Sequence, residues 1–168
     1  MEEFTKKDVM ANCDLTARQF QFYVDQGLVH PSDKYSKGGV KANRFEFLTS
    51  SNNPGRGVPR VYNKTNLMEF HIISRLSRRG VSVGKIAGIL DFMRSVDIKP
   101  LENRRDYYGK KGRGYLIVYV DRQTKKDMVD FKFTMGNETC VLTEADLSRF
   151  VDPIVLNYGD LCEQVEKL

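Results

Sequence analysis

The side chains with the most directed chemistry fall in one short stretch, Arg18-Gln19-Phe20-Gln21-Phe22, within "LTARQFQFYVDQGLVHP". In a major groove an arginine pairs bidentately with guanine and a glutamine with adenine, while an aromatic ring packs on a thymine methyl. Arg18, Gln19, Gln21 and Phe22 therefore make a base-reading set, provided that one helix turns them all outward. Thr16 precedes them, where a hydroxyl and the unpaired N–H groups of a helix N-terminus can bond a phosphate together. A second set is cationic. Residues 32–64 carry 7 basic and 2 acidic side chains, and Lys41, Arg44, Arg56 and Arg60, with Lys34 and Lys37, are candidates for phosphate or minor-groove contacts. Such contacts supply affinity and register but no sequence information.

Other chemistries lack their residues. His30 and His71 are the only histidines, and His71 lies in an apolar helical pattern. "GKKGRG" at 109–114 is glycine-rich and basic but lacks the closing Lys-Ser/Thr of a phosphate-binding loop. No nucleophile elbow, metal-binding helix motif or spaced carboxylate pair is present, so no enzyme activity and no cofactor are expected. Cys13, Cys140 and Cys162 show neither zinc-ligand spacing nor a disulfide framework, so ordinary buried or half-buried thiols and no metal are expected. A redox sensor would need Cys140 and Cys162 exposed and close together.

The net charge of +5 sits wholly in residues 1–98, with 15 basic and 10 acidic side chains. Residues 99–126 form a second basic block, 9 against 3, and 127–168 are acidic, 3 against 9. That asymmetry points to a polyanion partner. No run of eighteen apolar residues exists and the N-terminus lacks an apolar signal core, so no membrane span and a cytoplasmic location are expected.

The elements that would position these residues can be read in order. Thr5 caps a helix over 6–13, with Val9 and Met10 inward and Asp8 in its first turn. Thr16 caps a helix over 17–26 that turns Ala17, Phe20, Tyr23 and Val24 inward and Arg18, Gln21, Phe22 and Asp25 outward. Gly27 takes the left-handed position after it, and Leu28 folds back. Two short helices joined by about three residues make a helix-turn-helix. The turn-rich centre "SSNNPGRG", between "RFEFLT" and "VPRVY", predicts a long basic β-hairpin, with Pro59 confining its strand to an edge. Asn63 caps a third helix over 64–79 with Leu67, Phe70, Ile72, Ile73 and Leu76 inward, ended by Gly80. Ser82 caps a fourth over 83–96 with Val83, Ile86, Ala87, Ile89, Leu90 and Met93 inward.

Beyond a basic linker the period changes from helical to alternating. "YLIVYV", "MVDFKFTM" and "TCVL" predict three antiparallel strands. Thr143 and Asp146 form a capping box, and Asp152-Pro153 has the form of a cap with proline at the first helical position. Val151, Ile154, Tyr158, Leu161, Val165 and Leu168 then follow at intervals of 3, 4, 3, 4 and 3. That spacing predicts a heptad seam on a last helix, either a dimer contact or packing on the chain's own sheet.

The order helix-turn-helix, wing and second helix pair resembles the DNA-binding domain of the MerR family of bacterial transcription regulators. "FTKKDVMANCDLTARQFQFYVDQGLVHP" is similar to the family's opening helix pair, with its Arg-x-Tyr-Tyr-type stretch and Gly-Leu-x-x-Pro ending. "VPRVYNKTNLMEFHIISRLSRRGVSVGKIAGIL" is similar to the pattern that follows, and the match spans residues 4–94. The resemblance implies DNA contacts from Arg60 and Tyr62, which match the Arg-x-Tyr of the wing, and from Tyr23 in the opening stretch. It also implies a dimer that bends and untwists promoter DNA. Three features depart from the family pattern: Gln21 replaces its usual arginine, the wing is longer, and a strand-rich domain replaces the long dimerisation helix.

The expectation is an α+β chain in three parts. Residues 1–98 form a winged helix-turn-helix of four helices and a hairpin, 99–113 a basic linker, and 114–168 a small antiparallel three-stranded sheet with C-terminal helices for dimerisation or for an effector or partner. The function expected is a homodimeric, sequence-specific, double-stranded-DNA-binding transcriptional regulator, with RNA polymerase or an effector as a further partner. The alternative is a DNA-tethered protein-interaction or phage-type architectural factor that senses no small molecule.

Overall fold

A computed structural model of the chain describes residues 3–29, 60–95, 112–135 and 142–168. The hairpin expected after Pro31, with Lys34, Lys37, Lys41, Arg44 and Arg56, lies outside them, as do His30, Cys140, most of the linker and most of "TCVL". The fold is α+β, with six helices and one three-stranded antiparallel sheet among the described residues. The chain divides into two compact units, Met1–Ile98 and Lys99–Leu168.

Helices α1 (Lys6–Cys13), α2 (Ala17–Asp25), α3 (Lys64–Arg78) and α4 (Val83–Ser95) build the first unit. Their ends follow from local chemistry. Thr5, Thr16 and Asn63 each close a capping box with the residue three positions on, supplying partners for two backbone N–H groups apiece. Gly27 and Gly80 adopt φ of 65° and 78°, as the left-handed cap requires. At each of these ends two reversed bonds close the helix: Leu28 N to Tyr23 O at 3.0 Å with Gly27 N to Val24 O at 2.9 Å, and Val81 N to Leu76 O at 3.1 Å with Gly80 N to Ser77 O at 3.0 Å.

The core of this unit joins Val9, Cys13, Phe20, Val24, Leu67, Phe70, Ile73, Leu76, Ile86 and Leu90, all buried. Phe20, Tyr62 and Phe70 form a triangle of rings with centroids 5.2–5.7 Å apart, where aromatic contacts add to simple burial. A two-residue bridge, with Phe4 N to Tyr62 O at 2.8 Å and its reverse at 3.0 Å, ties the N-terminus to the start of α3. The Ser74 hydroxyl donates to Cys13 O at 3.1 Å and holds α1 on α3. Ala17, expected inward, is exposed; Phe20, Tyr23 and Val24 suffice to fill that face of α2. Cys13 is buried, which pushes its thiol up to about 12 and keeps it protonated; Cys162 is half-buried.

His71 is buried on α3, and burial lowers its imidazole to about 4, with the charge of Arg75 acting in the same direction. The ordinary value is 6.5, so on acidification the unfolded chain takes up this proton first. The contribution to stability is complete above about 6.5 and is lost as pH falls toward 4. Urea midpoints are expected to decline across that window, and His71→Gln is expected to remove this component of the decline. Equal slopes for the two proteins would mean that the imidazole is protonated as easily in the fold as in the open chain.

In the second unit, strand β1 (Gly112–Asp121) is central, flanked by β2 (Asp127–Met135) and by β3 (Phe150–Asn157). Both pairings are antiparallel, and Val118 stands opposite Val129 on one side and Ile154 on the other. Alternation sends Leu116 and Val118 to one face, where α6 (Tyr158–Glu166) packs on β1 with Tyr158, Leu161 and Val165 buried. The Tyr158 ring meets Phe131 edge-on at 5.0 Å. Ile117 and Tyr119 face the other way and form a core with Phe150, onto which Met128, Leu142 and Val155 pack. The short helix α5 (Glu144–Arg149) opens on the Thr143–Asp146 capping box, and Asp146 also pairs with Lys132.

Two expectations are corrected here. The third strand of the sheet is Phe150–Asn157, reached after α5, while Thr139, Cys140 and Val141 of the "TCVL" segment lie outside the described residues. The C-terminal heptad seam is not one helix: Val151 and Ile154 lie in β3, Tyr158, Leu161 and Val165 are buried within the protomer, and Leu168 lies beyond the last helix, exposed. The cause is pairing. Phe150, Val151, Ile154, Val155 and Leu156 gain ladder partners on β1 that no isolated helix offers them. Asp152-Pro153 is not a helix start but an irregularity in the ladder, where the register shifts between Val118 and Val120 and Asp152 takes φ 48°. Proline is tolerated there because β3 is a margin strand among the described residues and the kink removes the need for its N–H.

Candidate nucleic-acid interface

Both ends of α2 are anchored, so its outward side chains stand on a stiff support. At the N-terminal end the Arg78 guanidinium donates to Asp14 O at 2.8 Å in the turn before the helix. At the C-terminal end the Tyr23 hydroxyl and the Ser77 hydroxyl are 2.9 Å apart. Arg94 reaches from α4 to donate to Leu28 O at 2.6 Å, just past the glycine cap, while its Nε pairs with Glu69 of α3 at 2.8 Å. Asn66 also donates to Glu69, at 3.5 Å. Burial pushes the Glu69 carboxyl up, and the Arg94 charge pulls against it. One guanidinium thus ties the turn after α2 to two other helices.

The outward face keeps part of the expected set. Arg18 is exposed, with its guanidinium unpaired among the described residues. Phe22 is 45% exposed, a large apolar area for a side chain on a surface helix, and its ring leans edge-on against Tyr23 at 5.8 Å. Gln21 is exposed, and its amide donates to Asp25 one turn on at 2.7 Å. Thr16 and Gln19 are exposed but bonded to each other: the Gln19 side-chain oxygen accepts from the Thr16 amide and hydroxyl, both at 2.9 Å. Gln19 keeps only its amide donors for a ligand, and the Thr16 hydroxyl already serves the cap.

Two expected contacts are turned away from solvent. Tyr23 is 3% exposed and supports α2 from beneath. Tyr62 is fully buried in the aromatic triangle. Burial pushes its phenol up to about 12 against the opposing pull of Arg60, and no hydrogen bond of ordinary geometry reaches its oxygen among the described residues. Arg60 itself is half-buried beside it. Arg18, Gln21 and Phe22 are thus the members of the set that stand together in solvent without a structural duty to the cap or core.

Other positioning residues carried weaker signals. Lys6, in the first turn of α1, lies with Nζ 5.4 Å from the centre of the Phe20 ring and so adds a cation beside α2. Arg94 and Glu69 stand 25 residues apart, too far for any local spacing rule to join them. Among the described residues no three His, Cys, Asp or Glu side chains are placed to hold a metal ion, and no helix is long and apolar enough to cross a membrane.

Comparison with known proteins adds no identity: no protein-family model matches the chain, and no curated protein matches it either.

Proposed function

We propose that the chain is a sequence-specific double-stranded-DNA-binding regulator of transcription, with α1 and α2 as a helix-turn-helix and α2 entering the major groove. The observation that carries this reading is the exposed Arg18, Gln21 and Phe22 face on a helix clamped at both ends. A pre-organised helix loses little freedom on binding, and those residue types suit guanine, adenine and thymine edges respectively. The basic segment 32–64, read as a wing, would rest on adjacent backbone, with Arg60 at its end. A homodimer would set two such helices about 34 Å apart on a two-fold operator. Bending promoter DNA at a cost on the order of 1–6 kcal/mol would be offset by added contacts, with RNA polymerase or an effector acting on the bound complex.

The test is selection of bound duplexes from a random pool by the purified chain. A palindromic motif is expected; enrichment of no motif would defeat the sequence-specific reading. Arg18→Ala is expected to lose about 1–3 kcal/mol of discrimination between the selected site and random duplex. Arg60→Ala should weaken both duplexes alike, as loss of a phosphate contact does. Gel-shift titrations on both duplexes separate the outcomes, and equal losses for both variants on both duplexes would contradict the assignment.

A second reading, a DNA-tethered protein-interaction factor, draws on the sheet. Val120, Val129, Val151 and Ile154 share the face that α6 covers and remain only half-buried toward one end of it.

A further inference from the structure

The turn between β1 and β2, "DRQTKK", carries three exposed cations, Arg122, Lys125 and Lys126, none paired through its charged group among the described residues. The turn beneath them is fixed. Asp121 is 4% exposed, and its Oδ1 accepts from the Gln123 amide at 3.0 Å, the Thr124 amide at 2.8 Å and the Thr124 hydroxyl at 3.1 Å. Its Oδ2 accepts from Arg149 Nε at 2.7 Å, and the Arg122 amide donates to Arg149 O at 2.9 Å. The Arg149 hydrogen bond, followed by those from Thr124 and Gln123, holds the Asp121 carboxyl down at about 2, so it stays ionised and paired with that one arginine. Asp127 is the one further carboxylate within the turn and its next residue.

A second observation concerns Lys125 itself. Its φ is 56°, with its amide donating to Asp121 O at 2.8 Å. That is the left-handed closing position of the hairpin, where glycine or asparagine relaxes the backbone and a β-carbon strains it. Folding alone favours glycine at this position, whereas a lysine adds a charge at the closing position of a rigid turn. Strain held at an exposed site is an observation from which a binding role can be argued.

We propose that this turn is a second contact for the phosphate backbone of double-stranded DNA, separate from the α2 face and blind to sequence, made by Arg122, Lys125 and Lys126. The inference rests on the DNA-binding reading above. A stiff turn presenting three ammonium or guanidinium groups matches a row of phosphates, and contacts to phosphates carry no sequence information. The basic block that precedes it, residues 99–121 with Lys99, Arg104, Arg105, Lys110, Lys111 and Arg113, continues the same charge along the chain.

The experiment uses the full chain and a fluorescently labelled 30-base-pair duplex of random sequence, with affinity measured by anisotropy between about 50 and 300 mM salt. Each neutralised phosphate contributes about 0.9 to the slope of log affinity against log salt. R122A/K125G/K126A is expected to make the slope shallower by about 2–3 per chain and to weaken the selected and random duplexes equally. Lys125→Gly alone should make it shallower by about 1, while its thermal midpoint stays level or rises because the strained backbone relaxes. Unchanged slopes on the duplex would overturn the proposal, as would a lowered midpoint for Lys125→Gly. A change confined to an RNA of equal length would overturn the DNA assignment. Failure of the wild-type chain to bind any duplex would instead overturn the regulator reading itself, so the two failures are distinguishable.

Discussion

Arg94→Ala is expected to lower the stability of the first unit by about 3–5 kcal/mol, the range seen when one member of a buried ion pair is removed. The side chains of Arg94 and Glu69 are only 17% and 12% exposed. Truncation leaves the Glu69 carboxylate without its guanidinium and leaves Leu28 O without its donor. The size of the effect comes from that orphaned charge rather than from the intrinsic strength of the pair. It therefore depends on pH in a defined direction. Burial already raises Glu69 above its ordinary 4.5, and without Arg94 it rises further. A folded-state value above the unfolded one costs stability as pH increases, so the deficit should grow from about pH 4.5 toward neutrality. The double variant E69M/R94M should recover much of the loss, because packed apolar groups of similar volume replace buried pairs at little cost. Urea denaturation followed by circular dichroism measures all three proteins. A deficit under about 1 kcal/mol for Arg94→Ala at pH 7 would mean that water already screens the pair. If the proposed function holds, the same substitution should also weaken sequence-specific DNA binding beyond what stability explains, because Arg94 fixes the turn that ends α2.

Leu161→Ala is expected to cost about 2–5 kcal/mol in the second unit, the range for large-to-small changes in packed cores. Leu161 is fully buried in α6 against the sheet. The companion change Leu168→Ser, at a position 46% exposed, should alter stability by no more than about 0.5 kcal/mol. Together they test where the C-terminal apolar side chains act. If Leu161 packs inside its own protomer, the difference between variant and wild-type midpoints is the same at every protein concentration. A difference that changes with concentration would mean that Leu161 belongs to a contact between chains.

The first unit was legible because its helix ends are written locally. Thr5, Thr16, Asn63 and Ser82 cap, Gly27 and Gly80 terminate, and the apolar positions between them recur at helical spacing, so α1 to α4 fall within a residue of their expected bounds. The second unit was legible only in part, because two periods competed over the same residues. Val151 and Ile154 fit a 3-4 seam as well as a strand, and Asp152-Pro153 is as good a helix start as it is a strand kink. What decided between them was pairing with β1 some 35 residues earlier, which no local pattern contains. The base-reading set followed the same division. Spacing placed Arg18, Gln21 and Phe22 outward, but it could not reveal that Gln19 would close the Thr16 cap or that Tyr62 would fill the core.

The kink at Asp152-Pro153 has a further effect on how the molecule behaves in crowded company. An uninterrupted margin strand is a template on which a foreign or newly made chain can lay down another strand. Along β3 that template is broken midway, by a left-handed residue and then by one with no amide hydrogen to donate. A strand added along this side would run out of ladder partners after a few residues. The valine- and isoleucine-rich tail that gives the second unit its stability is thereby kept from spreading its ladder to its neighbours.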